Sequence, residues 1–219
     1  MPHRLFTEIE RFNTWAEGYS PKPQAERGGE WELDYPEGWQ IIYKQFEDFA
    51  RSTQAGDWST DEIDRLLYII ARDNECQALI NSLHDDALVL LAESALARGE
   101  MDCKWQIADT LQRIADKQRA VDLIERFVND PEEYVNRRAL MAMARLDAGR
   151  TETYCRKHWE RTIYGDMDEY QRIAILHSLK QIGSPLLKHY LELAKADGRE
   201  YLVNNAVQIE GEVYGAGQF

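Results

Sequence analysis

One alanine recurs along the second half of the chain at a nearly constant interval. Ala108, Ala139, Ala174 and Ala206 are separated by 31, 35 and 32 residues. Each lies about one helical turn after an aromatic or apolar residue, in the segments CKWQIADTLQRIA, YVNRRALMAMARL, YQRIAILHSLKQIG and YLVNNAVQIEG. A second helical pattern separates them, in QRAVDLIERFV, TETYCRKHWERTI and SPLLKHYLELAK. A period of about 30 to 40 residues that contains two helices is typical of an α-solenoid.

The small side chains of the repeat have a packing role in such a fold. Helix axes approach each other to about 8 Å only where the contacting side chains are small. Ala139 and Ala142 permit this approach, and the larger Leu140 and Leu146 fill the space between the helices of a pair. We therefore expect the recurring alanines to be buried.

The segment DPEEYVNRRALMA, residues 130–142, closely resembles the HEAT-repeat pattern. The resemblance implies an all-α, armadillo-like fold, a right-handed α-α superhelix of HEAT-like helix pairs. It also implies a structural ladder in which Asp130 bonds to Arg138 beside Ala139, with Arg137 as an alternative partner. A turn aspartate can accept hydrogen bonds from helix N-terminal amides while an arginine binds its other oxygen. The match is weaker elsewhere, since Ile173 occupies the position equivalent to Arg138.

The resemblance covers residues 100–210 well and residues 57–99 loosely. Residues 1–56 lie outside it and are predicted to form N-terminal helices that pack on the solenoid. The first helix is expected to end at Gly18, and a long irregular loop follows over residues 18–37, rich in Pro and Gly. HEAT-like repeats are expected over residues 57–210 and a flexible tail over 211–219. No segment alternates with period two, so no sheet is predicted.

The charge of the chain is divided unequally. Residues 1–110 contain 10 Lys and Arg against 22 Asp and Glu, a balance of −12, whereas residues 111–219 contain 16 against 17. A nucleic-acid-binding protein needs a basic face, so the composition makes nucleic acid an unlikely partner. No apolar run reaches the ~20 residues of a membrane span. The acidic N-terminal segment does not resemble a signal peptide, so a cytoplasmic location without a membrane partner is expected.

The sequence contains no familiar catalytic motif, and we predict no catalytic residue, cofactor or bound metal. Cys155 and His158 share a helix face, as two metal ligands would, but a structural zinc site needs four ligands. His84 precedes two aspartates at a helix end, where attraction to the C-terminal helix dipole is expected.

An alternative site combines Trp105, Asp109 and Trp159. Trp105 and Asp109 are one helical turn apart, and Trp159 lies two helices later. Some HEAT-like alkylpurine DNA glycosylases are similar in outline, with aromatics and a carboxylate on a concave wall. The acidic charge disfavours this enzyme, and a relation to HEAT-like phycobilin lyases rests on fold analogy alone.

Solenoids usually bind other proteins, so we expect a non-enzymatic protein-binding module. The acidic repeats and the aromatic N-terminal segment resemble immunity proteins of bacterial polymorphic toxin systems. This resemblance implies a protein partner with a basic surface, namely a toxin or effector domain that is bound and neutralised. A generic interaction scaffold or adaptor is the alternative. The predicted partner-binding residues combine loop acids with two aromatics: Glu30, Trp31, Glu32, Asp34, Tyr35 and Glu37. An equally weighted interpretation is that the two aromatics attach the loop to the protein body.

Overall fold

A computed structural model describes residues 3–20, 27 and 30–215, and within these ranges the chain forms twelve α-helices and no β-strand. The predicted all-α class is confirmed. The helices are α1 Arg4–Gly18, α2 Pro36–Ser52, α3 Thr60–Arg72, α4 Ala78–Asn81, α5 Asp85–Arg98, α6 Met101–Thr110, α7 Lys117–Val128, α8 Glu133–Met143, α9 Ala148–Trp159, α10 Asp168–Gln181, α11 Leu187–Asp197 and α12 Glu200–Tyr214. Short 3₁₀ helices occupy Trp31–Asp34, Ala55–Asp57, Leu111–Arg113 and Gly165–Met167. None of these described helices combines the length and the apolar character that crossing a membrane would require.

The chain divides into two compact units, Met1–Thr110 and Leu111–Phe219. The predicted limit of the N-terminal segment at residue 56 does not coincide with this division. α1 packs on α2 and α3, and α2 packs on α4, so the N-terminal helices and the helices from α3 to α6 share one core. The division does coincide with the change in charge, because the first unit contains the whole segment with a balance of −12.

The helices of the first unit begin and end where local chemistry satisfies their backbone groups. The His3 ring accepts a hydrogen bond from the amide of Leu5 at 3.2 Å at the start of α1. Ser59 and Glu62 form a capping box that starts α3. α1 ends at Gly18 as expected.

The segment between α3 and α5 is α-helical only over Ala78–Asn81. The buried Asp73 carboxylate accepts a hydrogen bond from the amide of Leu79 at 2.8 Å, and Gln77 adopts the left-handed conformation with φ of 53°. His84 lies immediately before the N-terminus of α5, so its predicted location at a helix C-terminus is wrong.

The second unit packs its helices in a recurring pattern. The alanine-containing helices α8, α10 and α12 contact one another in succession, while α9 packs on α8 and α10, and α11 packs on α10 and α12. Ala139, Ala174 and Ala206 are 0%, 2% and 0% exposed, and Ala108 of the first unit is 0% exposed. The predicted burial of the four alanines is therefore confirmed, and helix pairs pack against neighbouring pairs.

Two helix ends differ from the sequence patterns. α6 ends at Thr110 and a 3₁₀ turn follows, so the segment CKWQIADTLQRIA is not one continuous α-helix. α12 continues to Tyr214, so residues 211–214 of the predicted flexible tail are helical. Glu212 accepts a hydrogen bond from Lys180 of α10, which holds the end of α12 to α10. It also accepts one from Gln208 within α12 itself. Residues 216–219 lie outside the described residues.

Candidate partner-binding surface

The described part of the predicted loop is a compact turn that packs on α1. Residues 21–26, 28 and 29 lie outside the described residues, but Trp31–Asp34 forms a 3₁₀ helix, and α2 begins directly afterwards at Pro36. A proline is well suited to the first position of a helix because its missing N–H is not needed there. The Trp31 ring packs at 5.7 Å from Trp15, stacked, and its other aromatic neighbours are Phe12 and Tyr19.

Hydrogen bonds hold this turn in place. The Trp39 indole N–H donates to the carbonyl of Glu32 at 2.8 Å, and the Tyr19 hydroxyl donates to the Asp34 carboxylate. Arg27 donates to the carbonyls of Ala16 and Tyr19 at the end of α1, at 2.6 and 3.0 Å. Its guanidinium also lies over the Trp31 ring, 4.2 Å from the ring centroid. A segment fixed in this way loses little conformational entropy when a partner binds.

The six predicted binding residues separate into two groups. Trp31 and Glu32 are 8% and 7% exposed, and Tyr35 is half-buried against Trp15, with ring centroids 4.8 Å apart. The aromatic side chains thus attach the turn to α1. The side chains that face outward are acidic, namely Glu30, Asp34 and Glu37.

Leu33 was missed by the sequence analysis. Its side chain is 44% exposed, and in the sequence it lies between the exposed acids Glu30 and Asp34. Trp31, two residues earlier, is the more conspicuous residue in the sequence, but its side chain is buried. We call the exposed set Glu30, Leu33, Asp34 and Glu37 the acidic ridge. It combines an apolar side chain with carboxylates on a rigid turn.

Glu32 is a buried carboxylate within the same turn. Burial raises its pKa above the ordinary glutamate value, while the positive charge of Arg72 opposes this rise and the negative charge of Asp102 adds to it. Burying a charged carboxylate without a strong ion pair costs stability. Glu32 therefore belongs to the interior of the first unit, and the exposed acids beside it are better placed to contact a partner.

A groove of about 810 Å³ lies between α1 and the start of α3. Its charged side chains pair with one another, since Arg65 approaches Asp61 at 3.0 Å and Glu10 at 3.7 Å. The Ser59 hydroxyl belongs to the capping box with Glu62. These side chains therefore have structural roles, and they do not form a nucleophile–base pair suited to covalent catalysis.

The residues of the predicted ladder lie before and within α8: Asp130 precedes the helix, and Arg138 and Ala139 are near its middle. Asp130 is buried, and its carboxylate accepts a hydrogen bond from the amide of Glu132 at 3.0 Å. Ala139 is fully buried and Arg138 is half-buried. The bond between Asp130 and Arg138 stays a prediction. Arg137, the alternative, forms an ion pair with Glu133 at 3.0 Å.

A related acid–arginine pair occurs one repeat later. Arg172 of α10 donates to the Asp197 carboxylate at 2.5 Å, and Arg199 donates to the same carboxylate at 2.5 and 2.7 Å. Asp197 is the last residue of α11, and Gly198 directly after it adopts a left-handed conformation with φ of 89°. The aspartate thus links α10 to the turn before α12, and it uses the arginine one position before Ile173.

The alternative site is divided between the two units. Trp105 is 6% exposed, and its indole N–H donates to Asp102 at 3.3 Å, while Asp109 is half-buried. Trp159, in the second unit, is 6% exposed and packs on Tyr190 with ring centroids 4.8 Å apart. Both indoles are thus packing side chains within their own units, and neither has an open face for stacking on a base.

Cys155 and His158 are both buried on α9, with 0% and 1% exposure. In the described ranges, no group of three or more His, Cys, Asp or Glu side chains is arranged to hold a metal ion. Burial lowers the pKa of His158 to about 3, with a further contribution from Arg161 and Lys157, so the ring is neutral at pH 7.

The chain matches no protein-family model, no curated protein and no solved structure.

Proposed function

We propose that this protein is a non-enzymatic binding protein whose first unit recognises a basic protein through the acidic ridge. The observation that carries the proposal is that the boundary between the compact units is also the boundary of the acidic excess. Almost all of this excess lies in the unit Met1–Thr110, and within it Glu30, Asp34 and Glu37 are exposed on a turn held by buried aromatics.

The ridge is suited to rapid and selective association. Carboxylates on one surface attract a basic partner and raise the association rate, whereas affinity comes mainly from desolvated contacts near the centre of an interface. Leu33 supplies an exposed apolar contact among the acids. Because the turn is already fixed by Trp31 and Trp39, binding requires little ordering.

The finer version of the proposal joins this surface to the repeat architecture. The recurring helix pairs would form a right-handed superhelix of HEAT-like repeats, an architecture that offers extended surfaces to other proteins. Together with the resemblance to immunity proteins, this favours a cytoplasmic inhibitor that binds and neutralises a basic toxin or effector domain. A general adaptor protein would use the same surface for a different partner.

Charge reversal on the ridge tests the proposal. The partner is first purified with the chain from its native host and identified. Glu30→Lys combined with Glu37→Lys should then slow association by about tenfold at low salt, and the difference should shrink as salt screens the charges. Glu32 is unsuitable for this test because its side chain is buried.

The matched control is Asp48→Lys combined with Asp57→Lys. Both aspartates are exposed in the first unit, and the pair changes the net charge by the same amount. Asp48 lies about 16 Å along α2 from Glu37, at 1.5 Å per residue. Equal association rates for the two double variants would reject the ridge as the contact.

A protection assay separates the inhibitor from the adaptor. Cells that express the identified partner, or its toxic domain, should survive when the wild-type chain is co-expressed. They should lose this protection when the co-expressed chain carries Glu30→Lys and Glu37→Lys. A partner without toxicity, bound through the same ridge, would assign the protein to the adaptor class.

A further inference from the structure

The second unit exposes a row of tyrosines. The three alanine-containing helices α8, α10 and α12 each carry a tyrosine in their first turn, namely Tyr134, Tyr170 and Tyr201. Tyr170 and Tyr201 are 37% and 61% exposed, and their rings are stacked with centroids 6.4 Å apart and planes at 29°. The repeat therefore places equivalent aromatic side chains side by side on one edge of the unit.

Arg137 connects the first tyrosine to the second. Its guanidinium lies 4.7 Å from the centroid of the Tyr134 ring and 5.5 Å from that of the Tyr170 ring. The buried Glu133 carboxylate pairs with Arg137 at 3.0 Å and fixes its direction. These cation–π contacts join the rings of α8 and α10. The stacking of Tyr170 on Tyr201 extends the row to α12.

The turn before α10 adds two exposed apolar side chains. Ile163 is 69% exposed and Met167 is 42% exposed, and they precede Tyr170 by seven and three residues. We call the set Tyr134, Arg137, Ile163, Met167, Tyr170 and Tyr201 the tyrosine surface. Tyrosine, methionine and arginine are the residue types enriched at the centres of protein interfaces. Exposed apolar patches of this kind commonly mark interaction sites.

Acidic side chains accompany this surface. Glu132, Asp166 and Glu200 are exposed, and each lies within four residues of one of the three tyrosines. We call these three carboxylates the acidic margin, and their negative charge is complementary to lysine and arginine. In a symmetric contact between two copies of the chain the same carboxylates would be brought together, which is unfavourable.

We propose that the tyrosine surface binds an apolar segment of the partner protein that is flanked by Lys or Arg. The proposal rests on the proposed function in one respect, since it takes the partner to be a basic protein. The tyrosines and Met167 supply desolvated contact area, and the acidic margin selects the charge of the flanking residues. This is a second binding surface, on the unit that does not contain the acidic ridge.

A displayed library of random short peptides is the probe. Wild-type protein is the target, and the double variant Tyr170→Ala, Tyr201→Ala is used to remove peptides that bind elsewhere. The enriched peptides should contain Leu, Phe or Trp flanked by Lys or Arg. A synthetic peptide from this set should bind the double variant at least about tenfold more weakly than wild type.

Tyr214→Ala is the matched control. Tyr214 is also an α12 tyrosine, is 51% exposed and lies near the other end of that helix. Its replacement should change peptide affinity by less than about twofold, as expected outside a contact site. Tyr201→Ala alone is the second variant, because removal of a side chain that is 61% exposed should leave thermal unfolding unchanged.

Three results would overturn the proposal. The library could yield no peptide that distinguishes wild type from the double variant, or the enriched peptides could be acidic. The Tyr201→Ala and Tyr214→Ala variants could also lose peptide affinity to the same extent. A concentration-dependent dimer that Tyr201→Ala dissociates would assign the surface to self-association instead. Loss of peptide binding with Glu30→Lys and Glu37→Lys, but not with the tyrosine variants, would leave the proposed function intact and reject only this second surface.

Discussion

The two compact units use their charged side chains differently. In the second unit, acids and bases are nearly equal in number, and several pairs join different helices: Arg150 with Asp122 and Glu125, Arg172 with Asp197, Lys180 with Glu212, and Lys195 with Glu210. The first unit also forms pairs between helices, such as Arg65 of α3 with Glu10 of α1 at 3.7 Å, but it has only 10 basic side chains for 22 acids. Charge thus supports helix packing in the second unit, whereas the first unit has acid in excess that can act on a partner.

The interiors of the units differ as well. The first unit is built around large aromatic rings, and Phe12 alone is close to Trp15, Trp31, Tyr35, Trp39 and Tyr68. The second unit depends on small side chains where α8, α10 and α12 meet. The stability of the first unit should therefore be most sensitive to the loss of side-chain volume in its core. The stability of the second unit should be most sensitive to added side-chain volume.

The largest effect is expected from Phe12→Ala. Phe12 is fully buried at the centre of the aromatic cluster, so truncation leaves a cavity and should cost about 3–5 kcal/mol of unfolding free energy. Denaturant titration followed by tryptophan fluorescence measures the loss. Phe12→Leu keeps most of the volume and is the control. A cost below about 1 kcal/mol for the alanine variant would show that the cluster does not form the core of the first unit.

Added volume in the second unit is expected to have a smaller effect. Ala174→Leu inserts a larger side chain where α10 contacts α8 and α12, and overpacking of this kind should cost about 1–3 kcal/mol. Ala196→Leu on the exposed side of α11 is the control and should be nearly neutral. Equal unfolding midpoints for the two variants would contradict the close approach of the alanine-containing helices.

One buried titratable side chain in each unit should affect stability in acid, and the two effects should have opposite signs. His158 of the second unit is 1% exposed and its pKa is lowered from 6.5 to about 3. Between these values the unfolded chain carries a proton that the folded chain lacks, so acidification favours unfolding, by about 2 kcal/mol at pH 5. His158→Phe should remove this loss of stability between pH 7 and pH 5. An unchanged pH dependence in the variant would reject a neutral, buried imidazole.

Glu32 in the first unit should give the smallest effect, with the opposite sign. Because burial raises its pKa, the folded chain binds its proton more readily than the unfolded chain, and acidification relieves the cost of the buried charge. Glu32→Gln should therefore raise the thermal midpoint slightly at pH 7, and the gain should shrink at lower pH. Asp34→Asn, at an exposed acid of the same turn, is the comparison. A lower midpoint for Glu32→Gln at pH 7 would show that the charge is stabilised by its surroundings.

Sequence patterns were most informative where structure depends on neighbouring residues. The 31 to 35 residue spacing of the alanines indicated helix pairs, and both the burial of Ala174 and the start of α3 at Ser59 follow from local periodicity and capping. Charge totals also located the acidic half of the chain. Burial and capping of this kind are set within a few helical turns, and the spacing and the charge totals can be counted directly from the sequence.

The direction of the side chains in the 31–37 turn could not be predicted in this way. Trp31 is buried because Phe12 and Trp15, 19 and 16 residues earlier, offer it an aromatic surface, and its burial leaves Leu33 outside. The short α4 likewise depends on Asp73 accepting a hydrogen bond from the Leu79 amide. Such contacts join residues that no local period relates.

The stacking of Trp15 on Trp31, with ring planes 18° apart, has a practical consequence. Two nearly parallel indoles at 5.7 Å couple their electronic transitions, so the turn that carries the acidic ridge contains its own optical label. A change in near-ultraviolet circular dichroism would report whether this turn remains seated on α1 when a partner is added. Recognition at the ridge can therefore be followed in the unmodified protein.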